Sequence, residues 1–218
     1  MHLDEQDGSG SLAAQAYRAV ERRIVTLELA PGSVTSEAAL AEAVGLGRTP
    51  IREAVQRLAW EGLLEIRPRA GLAVALLHPG DWVRVIDARE GVEVVLARAA
   101  ARFGGEAHSA AFRQAAETIK AAAERNDVES FLGADKLLDE ATAAAASNPF
   151  AARLAAPLQT HSRRFWFRFQ GASGLNQAAE RHAGLVEAIL AGDERKAMAE
   201  ASRLMAELRL QAEAVARA

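Results

Sequence analysis

The stretch VGLGRTPIREAVQRLAWEGLLEIRPRAGL, residues 44–72, decides the fold that this sequence predicts. Its first half has the spacing of a helix with one buried face, because apolar residues recur at i, i+3, i+4 and i+7. These residues are Ile51, Ala54, Val55 and Leu58. A turn containing two glycines precedes this helix, and another apolar-periodic run precedes the turn. The pattern therefore indicates two helices joined by a short turn.

The period of the pattern changes after the second helix. Residues 64–67 and 72–74 each have the character of a short strand, and the basic segment 68–71 between them contains proline and glycine. This arrangement predicts a hairpin with a basic turn. Two helices, a turn and a basic hairpin together predict a winged helix-turn-helix.

The polar side of the second predicted helix carries side chains suited to nucleic acid. Short polar and guanidinium groups are the kind that contact phosphates and the base edges of a major groove. The predicted DNA-contacting residues are Arg48, Thr49, Pro50, Arg52, Gln56, Arg57, Arg67, Arg69 and Gly71. Two alternatives remain at this point. The winged helix could contact only proteins, and the two arginines of the hairpin could belong to a solvated turn rather than to a wing that touches a groove.

The DNA-binding half of the chain has too little net positive charge to hold DNA by bulk electrostatic attraction, so its basic residues would have to act locally. Residues 12–77 contain eight arginine and seven glutamate residues, so the segment is nearly neutral. A protein that holds DNA by bulk electrostatics is more cationic than this. The arginines are concentrated at the motif, however, and that placement can suffice when two copies bind together.

The same residues resemble the DNA-binding signature of GntR-type bacterial transcription regulators. The resemblance lies in residues 48–54, 56–58 and 61–63, and residues 29–32 resemble the turn between the first two helices of such proteins. Gly47 departs from the pattern, since many members have serine or threonine there. Losing that cap hydroxyl costs about 1 kcal/mol or less, which is too little to change the prediction. The resemblance implies binding to a double-stranded DNA operator.

Composition sets broad limits on the remaining possibilities. The chain has 218 residues, a net charge of −3 and no cysteine. This length is enough for two small domains, and the lack of cysteine excludes disulfides and thiolate metal sites and fits a reducing cytoplasm. No apolar run approaches the roughly 20 residues of a membrane span. The acidic, polar residues 1–10 are unlike a secretory signal. We therefore expect a cytoplasmic protein without a membrane partner.

The second half of the sequence predicts only helices. We expect a winged helix-turn-helix domain over residues 11–77, a linker at residues 78–80 and a helical domain over residues 80–218. The fold class is therefore mainly α, with an antiparallel helical bundle as the natural assembly of the second domain. The predicted helices begin at residue 81 and then cover residues 108–125, 128–147, 149–169, 176–190 and 193–215.

Ionisable residues interrupt the apolar stripes of these helices. Arg89, Asp135, Asp139, His161 and His182 each share a line with apolar neighbours. Burying such groups singly in ionised form costs several kcal/mol each, so they should meet one another, a metal ion or a polar ligand. We predict that all five bind a small-molecule effector. For the two aspartates, the alternative is a solvated helix surface with the stripe displaced by one residue.

This half resembles the FCD domain of FadR-like GntR regulators. In that family an Asp-x-x-aromatic-His segment precedes Asn-Pro, as residues 135–139 precede residues 148–149 here. Residues 181–193 match a later segment, and Arg89 with Glu93 matches an Arg-x-x-x-Glu pair whose arginine is implied to face the effector. The resemblance therefore implies an effector-binding and dimerisation domain.

The resemblance leaves a divalent metal ion doubtful as a cofactor. The metal-binding members have histidine where this chain has Asp139 and Leu204, so only Asp135 and His182 of the four ligand positions are kept. The candidate metal ligands are Asp135, Asp139 and His182. Losing two imidazoles should weaken zinc or nickel binding and favour oxygen-preferring ions or none.

Together these patterns predict a homodimeric, ligand-responsive transcription regulator, a repressor rather than an activator. Two recognition helices would enter successive major grooves of a pseudo-palindromic operator. An organic acid is the expected kind of effector, because an arginine in the pocket can take a carboxylate in bidentate fashion. An enzyme that turns over a small acid is a rival, but the sequence shows no convincing nucleophile and no glycine-rich phosphate loop. A helical scaffold that binds only proteins is the third possibility.

Overall fold

The computed structural model describes residues 10–170 and 174–217. Residues 1–9 of the polar N-terminal tail considered above lie outside these residues. The chain divides into two compact units, one ending at Leu77 and the other beginning at His78. Each unit is described by itself.

The N-terminal unit contains three helices whose starts follow from their capping residues. Helix α1 spans Leu12–Val25, α2 spans Glu37–Val44 and α3 spans Arg48–Trp60. The hydroxyls of Ser11 and Ser36 accept hydrogen bonds from backbone N–H groups in the first turns of α1 and α2. Gly47 provides no such bond for α3.

The hairpin is part of a three-stranded antiparallel sheet. Strands β2 (Leu64–Arg67) and β3 (Gly71–Val74) form the predicted hairpin, and β1 (Val34–Thr35) pairs with the other edge of β3. The sequence did not predict β1, because two residues are too few to show a strand period.

The predicted apolar face of α3 is buried. Ile51, Ala54, Val55 and Leu58 are at most 2% exposed, and they join one core with residues of α1, α2 and the sheet. Thirteen buried residues among those described form this core, which confirms the predicted winged helix-turn-helix. The opposite side of α3 does not contribute to the core.

The second unit is helical throughout its described residues. Helix α4 packs against α6, α7, α8 and α9, so it is central, while α5 packs against α6 and α8. The helices are α4 (Pro79–Phe103), α5 (Gly105–Glu124), α6 (Val128–Ala146), α7 (Pro149–Phe169), α8 (Gly174–Leu190) and α9 (Glu194–Arg217). No helix in residues 10–170 or 174–217 is long and apolar enough to cross a bilayer.

Two predictions about this unit are wrong in detail. Residues 79–80 are not a linker, because α4 begins at Pro79, whose fixed φ and missing N–H suit the first helical position. The apolar stripe that the spacing predicts for α7, with His161 in line with Leu154, Leu158 and Phe165, is also only partly buried. Leu154 is 62% exposed, whereas Gln159, Arg163 and Arg164 are buried. Long polar side chains replace apolar ones on that buried face, so hydrophobic periodicity cannot locate it.

Candidate functional site

The side of α3 opposite its core face is open to solvent. Arg48, Thr49, Arg52 and Gln56 are exposed, and Pro50 is half-buried in the first turn of the helix. The structure therefore brings the predicted major-groove contacts onto one accessible face. Sequence periodicity located this face correctly because the buried stripe of α3 is continuous.

Two predicted DNA-contacting arginines form weak intramolecular pairs on the surface. The Nε of Arg52 lies 3.3 Å from Oε2 of Glu37, and Arg67 Nη2 lies 2.7 Å from Oε2 of Glu65. More than half of each arginine side chain is exposed. Such surface pairs contribute about 0–1 kcal/mol, so a phosphate or a base edge can replace either carboxylate.

Arg57 is engaged differently from the other arginines of α3. Its guanidinium lies 3.8 Å from the centroid of the Tyr17 ring, and its Nε donates to Oε1 of Glu61 at 2.9 Å. The hydroxyl of Tyr17 donates to the second oxygen of Glu61 at 2.7 Å. The Glu61 side chain is only 4% exposed. This cluster joins α1 to α3 and gives Arg57 a structural role. The Arg57 side chain is still 54% exposed, so the DNA contact predicted for it from the sequence stays a prediction.

Replacing Tyr17 with phenylalanine is expected to destabilise the N-terminal unit by about 1.5–3 kcal/mol, because a buried carboxylate loses a hydrogen bond. Thermal unfolding of the variant measures this loss. The exposed Arg18 on the same helix provides the control, since its replacement by alanine should leave the melting temperature unchanged. Equal melting temperatures for Tyr17→Phe and the wild type would show that the cluster does not stabilise the contact between α1 and α3.

The wing is defined by two residues with positive φ. Arg69 lies in the turn with a φ of 62°, and Gly71 follows with a φ of 87°. A Cβ on Gly71 would stand 2.7 Å from the carbonyl oxygen of Thr35 in β1. Glycine is required at position 71 for the sheet itself, whatever its role toward DNA. Arg67 and Arg69 both project from this hairpin as exposed residues.

A cavity of about 70 Å³ lies within the helical unit. Arg89, Asp135, Asp139 and His182 line it, although they come from three different helices, and their predicted effector contact stays a prediction. His161 is half-buried on α7 and is not among the residues that line this cavity, so its predicted effector contact stays a prediction. Apolar side chains from α9 and the ring of Trp166 form much of the remaining wall.

Arg89 is held at the cavity wall by Glu93. The Nε and Nη2 atoms of Arg89 donate to Oε1 of Glu93 at 2.9 and 2.8 Å. Gln159 on α7 donates to the same oxygen at 3.1 Å. The Arg89 side chain is 8% exposed, so its orientation is fixed before any ligand arrives.

Arg163 on α7 is the residue of this site that the sequence did not reveal. Its Nη1 lies 2.6 Å from Oδ2 of Asp139 and 3.2 Å from Oδ2 of Asp135. The predicted stripe of α7 passed through His161 instead, because the true buried face is largely polar. The two buried carboxylates on α6 would have been the available signal, since they require a cation nearby.

His182 completes the cluster from α8. Its Nδ1 lies 2.6 Å from the carbonyl oxygen of Ala178, and its Nε2 lies 2.9 Å from Oδ1 of Asp135. Both partners accept hydrogen bonds, so the ring donates from both nitrogens as an imidazolium. Burial lowers the pKa of His182, but the hydrogen bond and charge of Asp135 outweigh it and raise that pKa above 6.5. Burial opposes ionisation of Asp135 too, yet His182 and the two arginines hold its pKa well below the usual range.

Asp139 has the opposite behaviour. Burial and the charge of Asp135 raise the pKa of Asp139 to about 7, despite the opposing charge of Arg163. One carboxyl of the pair is therefore firmly ionised, while the other titrates close to neutral pH. The positive charges of the arginines and His182 are therefore nearly neutralised by the carboxylates, and the net charge of the cluster is small.

The residues of this cluster do not suit a divalent metal ion. The Nη1 of Arg163 lies against an oxygen of each aspartate, where it would repel a cation. Leu204 adds an apolar side chain to the cavity lining. Within residues 10–170 and 174–217, no group of three or more histidine, aspartate or glutamate side chains has an arrangement that could hold a metal ion.

Comparison with known families decides the identity of the chain. Residues 12–74 match the family model of bacterial regulatory proteins of the gntR family, and residues 84–207 match the model of the FCD domain. The chain belongs to the GntR family. This GntR-family regulator therefore combines a DNA-binding helix-turn-helix with an FCD effector domain, which confirms the fold class and the predicted role in transcription.

Two relatives and one solved structure illustrate the membership. A probable D-xylose utilization operon transcriptional repressor of Paenarthrobacter nicotinovorans is 30% identical over 183 residues, covering 84% of this chain and 80% of its own. An uncharacterized HTH-type transcriptional regulator in the TAR-I ttuE-ttuC' intergenic region of Agrobacterium vitis is 31% identical, covering 66% of this chain and 85% of its own. The structure of E. coli McbR/YncC is 20% identical with a TM-score of 0.77, covering 95% of this chain and 98% of that one. This last likeness concerns the fold alone.

Proposed function

We propose that this regulator represses transcription by binding a pseudo-palindromic operator as a homodimer, and that a small effector in the helical unit alters its affinity for DNA. The observation that carries the proposal is the open polar face of α3, with Arg48, Thr49 and Arg52 exposed together. Such a face fits a major groove. Two copies supply the second half-site contact that a nearly neutral DNA-binding unit needs. A DNA target supports a cytoplasmic location, which we propose for this protein.

The effector site that we propose is the cavity around Arg89, Asp135, Asp139, Arg163 and His182. Its polar end contains guanidinium groups, while its walls are largely apolar. A small organic acid with an apolar body fits this chemistry, because its carboxylate can accept from a prearranged guanidinium. The effector acts only if its affinity differs between the DNA-competent and incompetent arrangements of the dimer.

The direction of regulation that we propose is repression. The Paenarthrobacter nicotinovorans relative carries the name of a probable repressor. Another relative, from Escherichia coli strain K12, is an HTH-type transcriptional repressor that is 31% identical over 126 residues. A reporter gene placed behind the operator separates the two directions, since deletion of a repressor raises expression and deletion of an activator lowers it.

Replacing Arg52 with alanine is expected to weaken operator binding by about 1–3 kcal/mol, or roughly 5- to 150-fold, if its guanidinium reads a base. A mobility-shift titration on the promoter region of the protein's own gene, at fixed salt, measures this change. Arg18→Ala is the matched control, since it removes one exposed positive charge from the same unit but not from α3. If both variants lost the same amount of operator affinity, Arg52 would contribute only its positive charge and would not read a base.

A small-acid enzyme remains the alternative function of a buried carboxylate–histidine site. The two proposals differ in the fate of the ligand. A regulator binds its effector stoichiometrically and returns it unchanged, whereas an enzyme converts it. Incubation with any acid found to bind, followed by mass spectrometry of the ligand, distinguishes them.

A further inference from the structure

The acidic residues of the effector cavity converge on one cation. Asp135 and Asp139 lie one turn apart on α6, and both direct an oxygen to the same nitrogen, Nη1 of Arg163. Their side chains are 17% and 18% exposed, so solvent screens them little. Two carboxylates this close in a buried site need a positive charge between them.

Arg163 is built into that position rather than lying there by chance. Its side chain is 8% exposed and emerges from the buried face of α7. Its second terminal nitrogen, Nη2, lies 3.4 Å from the hydroxyl of Thr160, one turn earlier on the same helix. A guanidinium keeps its charge at any pH that a protein survives. The positive charge at this point is therefore permanent.

The remaining neighbours also oppose a metal. A metal-bound histidine presents a bare nitrogen lone pair to the ion. The Nε2 of His182 instead lies 2.9 Å from Oδ1 of Asp135, a hydrogen-bond acceptor, and the ring packs edge-to-face with Phe131 with centroids 5.8 Å apart. At position 204, where a fourth ligand would be needed, the cavity is lined by leucine.

We propose that Arg163 is the resident cation of this cavity and takes the place of a divalent ion, so that the effector site is assembled without metal. The guanidinium cross-links α6 to α7, and His182 extends the same cluster to α8. The site thus has three helices fixed by charged hydrogen bonds before a ligand enters. The inference rests on the proposed function only for the role of the cavity as an effector site, because metal binding itself can be measured without an effector or DNA.

The first test is a metal titration of the chelator-treated, full-length protein. Zn²⁺ and Ni²⁺ are added separately, and the melting temperature and tryptophan fluorescence are followed, since Trp166 lines the cavity. We expect no difference between the wild type and His182→Ala in their response to either ion. A stoichiometric, micromolar response of the wild type that His182→Ala abolishes would overturn the proposal.

The second test asks whether Arg163 is what excludes the ion. Asp139→His with Leu204→His restores imidazoles at both replaced positions but keeps Arg163. Adding Arg163→Gln removes the cation, and adding Arg153→Gln instead removes an exposed arginine of the same helix. We expect at least about tenfold tighter Zn²⁺ binding in the triple variant with Arg163→Gln than in either of the others.

Each result of the second test has a definite meaning. Equal Zn²⁺ affinity with and without Arg163 would contradict its assigned place as the substitute cation. A folded triple variant that binds no Zn²⁺ would show that the cavity has no metal position to replace, which also contradicts the proposal. If the triple variant does not fold, the wild-type titration still decides whether the native site takes a metal. None of these outcomes depends on DNA binding, so failure here leaves the proposed function untouched.

Discussion

Replacing Arg163 with methionine is expected to lower the free energy of unfolding of the helical unit by about 3–5 kcal/mol, the cost of removing one partner of a buried ion pair. The change leaves Asp135 and Asp139 facing each other without the cation that now lies 3.2 and 2.6 Å from their oxygens. Chemical unfolding at pH 8, in the presence of a chelator, measures the loss. Trp82 and Trp166 both belong to this unit, so tryptophan fluorescence follows its unfolding.

Two further variants test the cause of that loss. Arg153→Met changes an exposed arginine of the same helix and should alter stability by less than about 0.5 kcal/mol. The double variant Asp139→Leu/Arg163→Met removes charge from both sides, and buried pairs replaced in this way often lose little stability. It should therefore recover most of the loss. A double variant as unstable as Arg163→Met alone would mean that lost packing, not an uncompensated charge, explains the effect.

Replacing Asp139 with asparagine is expected to flatten the pH dependence of stability between about pH 5 and pH 8. The pKa of Asp139 is raised from 3.8 to about 7 in the folded protein. The folded state therefore binds this proton more tightly than the unfolded state does. The resulting stability is fully present below about pH 4 and is lost as the pH rises through 7. The raised pKa of His182 acts in the same direction.

The melting temperature of the wild type should accordingly fall as the pH is raised from 5 to 8. Asparagine carries no charge, so Asp139→Asn should be more stable than the wild type at pH 8, by about 1–3 kcal/mol, and similar to it at pH 5. Glu140→Gln, at the exposed neighbouring position, is the control and should follow the wild type. Parallel curves for Asp139→Asn and the wild type would show that Asp139 does not titrate in this range.

The sequence predicted the winged helix-turn-helix well because its local signals agree. Two serines cap α1 and α2, and the four apolar residues of the α3 stripe are all buried. Strand β1 was missed because its two residues pair with β3 from more than 30 positions away, and nothing local marks that contact. The contact of Arg57 with Tyr17 was missed for a related reason, since Tyr17 belongs to another helix.

The cavity of the helical unit shows a different limit of sequence analysis. Interrupted stripes identified Arg89, Asp135, Asp139 and His182, because an ionisable residue on an apolar line is conspicuous. On α7 that contrast disappears. Its buried face contains glutamine, threonine, serine and arginine, so Arg163 did not stand out and His161 was chosen instead. Periodicity finds a polar residue among apolar ones, but it cannot identify a polar cluster that several helices share.

The most direct test of the account is a hydroxyl-radical footprint of the purified protein on a DNA sequence enriched from a random pool by that protein. The account predicts two protected regions on one face of the duplex, with centres about 10–10.5 base pairs or a multiple of that distance apart. The same footprint should weaken in Arg52→Ala and persist in Arg18→Ala. Failure to enrich any sequence, or uniform protection that disappears with moderate salt, would contradict the claim that the exposed face of α3 reads DNA as one half of a symmetric pair.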